Sequence, residues 1–248
     1  MNNDLSDRLR AIADRISKGE TMADIGTDHG FLPIYLVEKG ISPMAIMADV
    51  SAQSLEKGRK NAHMLLEDAD LINKLDFRVG DGLKVLGSGE VDTVVIAGMG
   101  GKLIRDIMAA DYEHTLSFDK FVLQPRIGQG HLRKWLSDNG FAIVNEAVVK
   151  EGRHIPEIIT ALSPKNENTS VGIQAGYELA SSDGDDIAWK IPPWMTKADG
   201  PLEEFIARNL ALTEEKLSNV RKARARDTEL EEKIIGEINY LKNFLKEQ

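Results

Sequence analysis

Met22-Ala23-Asp24-Ile25-Gly26-Thr27-Asp28-His29-Gly30 is the stretch on which the fold turns. Thr21 to Ile25, at its head, is short and mostly apolar, as a buried strand is. Phe31 to Val37, just past its end, is apolar with a periodicity closer to a helix. A strand that breaks into a glycine loop and feeds a helix predicts an α/β unit with a nucleotide-like ligand at the break. The glycines let backbone N–H groups come close to such a ligand, and the helix N-terminus carries partial positive charge.

The loop chemistry narrows the ligand. A loop that seats a pyrophosphate reads G-x-G-x-x-G. Here Gly26 and Gly30 are separated by Thr27, Asp28 and His29, and Asp24 closes the strand. Two carboxylates beside a pyrophosphate would repel it. They suit a ligand with a cationic centre and an ammonium group, such as S-adenosylmethionine, which has no phosphate. An ordinary α/β turn with a capping Asp would use the same residues.

Outward from this loop the chain alternates strands and helices. Leu5, Leu9, Ile12, Ala13 and Ile16 recur at helical spacing, with Asp4 or Ser6 as cap. Met44 to Val50 is a second buried strand that ends in Asp49. An acidic residue at that place commonly accepts both ribose hydroxyls, although a helix cap would also use it. Ser51 to Asp68 is helical, and Leu75 to Gly80 is a third strand running into Asp81-Gly82, which is also an ordinary turn pair. Val91 to Ala97, rich in β-branched residues, is the strongest strand and opens into Gly98-Met99-Gly100-Gly101. That glycine shelf has room for a transferred group and an incoming base, or is simply a tight turn. Lys120 to Gln124 is strand five, and Gly128 to Asn139 is helical with Gly140 as its stop. Phe141 to Val149 and Ile155 to Leu162 form a hairpin about Glu151-Gly152-Arg153. The result is an α/β, Rossmann-like seven-stranded sheet with an antiparallel edge.

Bulk properties exclude several classes. With 42% hydrophobic residues in 248, the chain has ample material for a core. No apolar run is long enough to span a bilayer, and no apolar signal core stands near the N-terminus. Cysteine is absent and the five His are scattered, so neither disulfides nor a metal site are expected. The absence of cysteine fits a cytoplasmic protein. A net charge of -9 argues against a generally basic nucleic-acid binder but leaves room for a local basic patch.

The segments A-D-I-G-T-D-H-G-F-L-P, V-V-I-A-G-M-G-G, L-Q-P-R and G-R-H-I-P-E together resemble the bacterial tRNA adenine-22 N1-methyltransferase family, within the class I S-adenosylmethionine-dependent methyltransferases. The resemblance is strong from about residue 4 to 162 and looser beyond. It implies cofactor contacts from Asp24, Gly26, Asp28, His29 and Gly30. It also implies ribose contacts at Asp49 with Val50 beside it, adenine contacts at Asp81 and Gly82, and methionine-end contacts at Ala97, Gly98 and Met99. The chain lacks the N-P-P-[YF] motif of many amino-group methyltransferases, which agrees with a ring-nitrogen acceptor. A neutral ring nitrogen needs no base to deprotonate it, so the task is positioning and desolvation. Asp28 is the candidate for stabilising the charge that passes to the base, with cofactor binding or loop structure as its other roles. His29 would orient the base or cap the helix.

The last third differs in composition. Val171 to Ala180 is a candidate helix, Ser181 to Asp186 a linker, and Ile191-Pro192-Pro193-Trp194 a break. From Pro201 two apolar stripes follow, one through Leu202, Phe205, Ile206 and Leu210, the other through Leu230, Ile234, Ile238 and Leu241. Arg226-Asp227-Thr228 is the reversal between them. They predict an antiparallel α-helical coiled-coil hairpin. Arg221, Lys222, Arg224 and Arg226 cluster at its tip, as a site for tRNA phosphates or as a solvated charged face. The expected domains are 1–163, binding the cofactor, and 164–248, the arm. The expected function is methyl transfer from S-adenosylmethionine to N1 of adenine 22 in tRNA. The alternatives are transfer to another RNA or small molecule, or a protein-interaction module without turnover. The sequence leaves the oligomeric state open.

Overall fold

A computed structural model of the chain describes residues 4–165, 172–181, 183–223 and 227–246. In chain order its elements are α1 (Asp7–Ala13), β1 (Met22–Ile25), α2 (Phe31–Glu38), β2 (Ala45–Asp49), α3 (Ala52–Leu65), α4 (Ala69–Ile72), β3 (Leu75–Val79), β4 (Thr93–Met99), α5 (Gly101–Ala109), α6 (Tyr112–Thr115), β5 (Lys120–Pro125), α7 (Gln129–Asp138), β6 (Ala142–Val148), β7 (Glu157–Leu162), α8 (Ile187–Lys190), α9 (Leu202–Lys222) and α10 (Thr228–Lys246). Short 3-10 turns occupy Gly82–Val85 and Pro193–Lys197.

The seven strands form one sheet in the order β3-β2-β1-β4-β5-β7-β6. The first five run parallel, and β7 lies antiparallel between β5 and β6. Chain order reverses between β1 and β4, and in open α/β sheets that is where ligands bind, outside the carboxyl ends of the strands.

Alternation along the strands divides the core into two layers. Ala23, Ile25, Val94, Ile96, Phe121 and Leu123 face α5 and α7, where Ile104, Met108, Leu132 and Leu136 meet them. Met22, Val95, Val122 and Ile158 face the other way, against Ile12 of α1, Leu36 of α2 and Leu55 of α3. Residues Leu32 to Val37 of α2 are all buried, as expected of a helix that is apolar all round. Ser6 caps α1 by accepting from Leu9 N.

The stretch after β7 departs from expectation. From 172 to 181 the backbone is turn and coil rather than helix. Gly176 sits at φ +85, and Gln174 is held as an irregular strap on the sheet edge. Its Nε2 donates to Phe141 O at 2.7 Å while its Oε1 accepts from Ile143 N at 3.0 Å. These bonds to β6 and its lead-in replace the i to i+4 ladder. Trp189 and Trp194 then enter the same buried cluster as β5 and α7.

A buried ion group ties these pieces together. Arg133 of α7, fully buried, donates to Glu146 of β6 and Glu157 of β7, and through Nη1 to Lys190 O at 2.8 Å. Trp194 Nε1 donates to Glu146 Oε1 at 2.8 Å. Burial pushes the Glu157 carboxyl up, against the pull of Arg133, which brings the group closer to charge balance. The roots of α9 and α10 join through Phe205, Ile206, Leu241 and Phe244, packed on Val148, Ile191 and Met195. Beyond these roots the two helices run against each other as a hairpin, closed near its tip by Arg221 Nε on Glu231 Oε1 at 2.7 Å.

Candidate active site

The loop after β1 is strapped to β2. Gly26 N and Thr27 N both donate to Ala48 O, at 2.7 and 3.1 Å. Gly26 has φ +81, and a Cβ there would lie 2.0 Å from Met99 Cε. Glycine is therefore favoured by the left-handed turn, and a side chain there would also have to displace the Met99 methyl. Gly30 opens α2 at φ +68, where a Cβ would meet Met47 Sδ at 2.7 Å.

Asp24, at the carboxyl end of β1, is the electrostatic centre of this region. Burial pushes its carboxyl up to about 6, and the Asp49 carboxylate adds to the rise. Arg8 tempers it. So does the adjacent Thr27 hydroxyl, which is buried and makes no hydrogen bond of normal geometry among the described residues. A carboxyl in this condition is short of positive charge, and a ligand ammonium would supply it.

Asp49, at the end of β2, accepts from Ser51 N through Oδ1 at 2.7 Å. This is the role of a turn carboxylate, since Ser51 itself caps α3, and it uses one carboxylate oxygen only. Val50 is 70% exposed and Val79, at the neighbouring end of β3, is 60% exposed. Both are bare apolar side chains at the carboxyl ends of adjoining strands, where Val79 pairs in register with Asp49. Asp81 is exposed and paired with Lys84 Nζ at 2.7 Å, and Gly82 starts a 3-10 turn at φ +56. Across the sheet, Ala97, Gly98 and Met99 end β4. Gly98 has φ +78 with open space where a side chain would stand.

Asp28 and His29 are exposed. Asp28 accepts from Lys57 Nζ of α3 at 3.0 Å and lies 3.0 Å from His29 Nε2. The Lys57 hydrogen bond, with His29 nearby, holds the Asp28 carboxyl below its usual range. The His29 ring stacks on Phe31, with centroids 5.5 Å apart. Asp28 thus turns toward α3, while Asp24, Asp49 and Gly98 stand at neighbouring strand ends around the switch point.

Sequence reasoning missed Arg8, Gln124 and Glu151. Gln124 is 2% exposed at the carboxyl end of β5. Its Oε1 accepts from Arg8 Nη1 at 3.1 Å and from Gly98 N at 3.2 Å. Arg8 Nε also donates to Glu151 Oε2 at 3.2 Å, at the turn between β6 and β7. The signal for Gln124 was a lone amide in an apolar strand just before Pro125. Arg8 gave none, because it stands among the charged residues of an amphipathic helix. A cleft of about 680 Å3 begins here, lined by Arg8, Gly98, Gln124 and Ile127 and by Arg208, Asn209 and Leu212 of α9.

Of the basic tip, Arg221 and Lys222 end α9, and Arg221 is already engaged by Glu231. Arg224 and Arg226 lie outside the described residues. Among the described residues His131, Asp183 and Asp185 bring possible ligand atoms within 4.8 Å of one another, with Asp185 paired to His131 at 3.1 Å and Lys190 at 3.9 Å. No helix among them is long and apolar enough to cross a membrane.

A family model described as a methyltransferase domain matches residues 5–159, the span that carries every strand end just described. The chain belongs to this methyltransferase family. Its relatives include the tRNA (adenine(22)-N(1))-methyltransferase of Bacillus subtilis, 34% identical over 157 residues, which are 63% of this chain and 64% of that protein. The match therefore spans just under two thirds of the relative's length. The crystal structure of the B. subtilis m1A22 tRNA methyltransferase TrmK superposes with a TM-score of 0.79 at 25% identity, covering 98% of this chain and 100% of that one. Sp1610 of Streptococcus pneumoniae, solved in complex with S-adenosyl-L-methionine, gives a TM-score of 0.76 at 26% identity over 98% of this chain and 100% of its own. As a member of the methyltransferase family, the chain places its glycine loops, Asp24 and Asp49 where the doubly wound sheet puts a ligand.

Proposed function

We propose that this methyltransferase transfers the methyl group of S-adenosylmethionine to N1 of adenine 22 in tRNA. The observation that carries the reading is the junction at Gly98. On one side lie Asp24 and the close-packed glycine loop, and on the other the cleft runs out along α9. The similarity to the B. subtilis enzyme and to Sp1610 supports the substrate and the donor.

The residues present fit the donor. Asp24, raised to about 6 and short of positive charge, would hold its amino group, and Gly26 and Gly30 bring backbone close to it. Asp49 would take ribose hydroxyls through its second oxygen, and Val50 and Val79 would flank the adenine beside Asp81 and Gly82. Ala97, Gly98 and Met99 would border the methionine end, with Asp28 and His29 at the rim. S-adenosylmethionine, when bound, supplies a methyl on a positively charged sulfur that a neutral ring nitrogen displaces without prior loss of a proton. The protein's own work is then to hold, orient and exclude water. Gln124 fixes the Gly98 backbone for that purpose. Asp28, paired with Lys57, serves cofactor binding in this reading, and charge stabilisation at the base is its further candidate role.

Residues 1–163 would act as the cofactor unit and 164–248 as the arm that grips tRNA away from the pocket, through Lys222 with Arg221, Arg224 and Arg226. Adenine N1 lies on the pairing edge, so the base must be unpaired or turned out before the pocket can take it. Such a substrate implies a cytoplasmic enzyme. Nucleoside mass spectrometry of tRNA from a deletion strain tests the proposal. Loss of 1-methyladenosine at position 22, restored by the wild-type chain, is expected. Unchanged 1-methyladenosine would overturn it, and heat on titration with donor would then leave a methyltransferase for another acceptor.

A further inference from the structure

Eight large hydrophobic side chains are more than a third exposed among the described residues, and two of them line the same cleft. Ile127, 72% exposed, follows β5, and Leu212, 55% exposed, stands on α9. Both line a cleft that also takes in Gly98, where the space for a side chain is open. Asn209, one helical turn before Leu212, also lines the cleft. Its Nδ2 is committed to Phe205 O at 2.9 Å, which orients the amide and leaves Oδ1 as an acceptor with no partner among the described residues.

Exposed aliphatic side chains from two elements lining one cleft, with an oriented acceptor among them, suit a flat heterocycle that carries an amino group. Enzymes that act on an extruded base hold it between aromatic or apolar faces and read its edge by hydrogen bonds. The shelf Gly98 to Gly101 offers no aromatic ring for this.

We propose that Ile127 and Leu212 clamp the acceptor adenine, one on each face, and that Asn209 Oδ1 accepts from its exocyclic amine. This rests on the reading of the protein as a tRNA adenine-N1 methyltransferase. Bonding to the exocyclic amine fixes the rotation of the ring in its plane, and so fixes the adjacent N1 relative to Gly98. Guanine would present a carbonyl oxygen to the same acceptor and be disfavoured. The helical arm on this account completes the acceptor pocket as well as gripping the RNA.

The test uses the full chain, an unmodified tRNA transcript and single-turnover methylation at saturating donor, with donor affinity read separately by calorimetry. Ile127→Ala and Leu212→Ala should each slow methyl transfer about tenfold, the scale of losing one stacking face. Donor affinity should not change, and Leu212→Phe should restore the rate. Asn209→Leu should slow the reaction on the adenine transcript. A transcript with unsubstituted purine at position 22 should be slow with the parent chain and no slower with Asn209→Leu. Full rates for both alanine variants, or slowing matched by weaker donor binding, would overturn the clamp. So would an Asn209→Leu loss equal on both transcripts. If the parent chain methylates no tRNA, the underlying reading fails instead, and the two failures are distinguished by that control.

Discussion

Arg133, Glu146 and Glu157 lie inside the protein with their bonds directed at one another, at Trp194 and at Lys190 O. Asp24 is partly withdrawn from water, and the cation that tempers its carboxyl, Arg8, spends its bonds on Gln124 and Glu151. Both regions put acidic groups where solvent cannot reach them easily. In the first the protein supplies the counter-charge, and the group serves the fold. In the second it withholds it, and the deficit is what a cationic ligand would fill. Buried charge alone therefore does not mark a site; a carboxylate at a strand end with no hydrogen-bonded cation among the described residues is the better candidate.

The sharpest way to break this comparison is Arg133→Met. It strands two buried carboxylates and should cost about 3–5 kcal/mol of stability, read by urea unfolding at neutral pH. A loss below about 1 kcal/mol would mean that the ion group is not sealed in the way described. Asp24→Asn should do the opposite. The folded-state pKa of Asp24 is raised, so the folded protein holds a proton that the unfolded chain releases between the ordinary value of 3.8 and about 6. Its contribution is thus favourable below 3.8 and is lost as pH rises toward 6, leaving a penalty above that on the order of 3 kcal/mol. Removing the charge should stabilise the apo chain at pH 7.5 more than at pH 4, while weakening donor binding roughly 30-fold, or about 2 kcal/mol.

How far these regions can be read without coordinates differs in an instructive way. The strand ends at Asp24, Asp49, Asp81 and Gly98 are local features, a run of apolar residues followed by a turn, and local features are legible. The long helices from Leu202 and Thr228 were legible for the same reason. Gln124 and Arg8 become partners only when β5 and α1 meet, 116 residues apart in the chain. The strap at 172–181 is not the helix expected of Val171 to Ala180, because the pairing of Gln174 with β6 is a tertiary event with no local signal. Asp28 was read correctly as a loop residue, but its turn toward Lys57 depends on the packing of α3.

Two smaller effects sharpen the contrast. Donor affinity should rise by up to tenfold per pH unit as pH approaches about 6 from below and level off above it, because binding requires ionised Asp24. Calorimetry from pH 5 to 7 measures this, and a flat profile in the parent chain would remove Asp24 from the amine contact. Lys222→Glu should weaken tRNA binding only about threefold and lower the salt slope by about 1, a uniform effect across tRNA sequences. Filter binding at several salt concentrations reads it. Arg221 is the poorer probe, since Glu231 already holds it.

The helix that starts beside the cleft runs from Leu202 to Lys222 without a glycine or proline. At 1.5 Å per residue, the span from Leu212 to Lys222 is about 15 Å, and a continuous helix does not shorten or stretch cheaply. On the proposed reading, the separation between the acceptor base and a phosphate contact at Lys222 would be built in as a fixed length. An RNA would then be accepted when its own folded dimensions match that spacing, and the chain would measure its substrate as well as read one base of it.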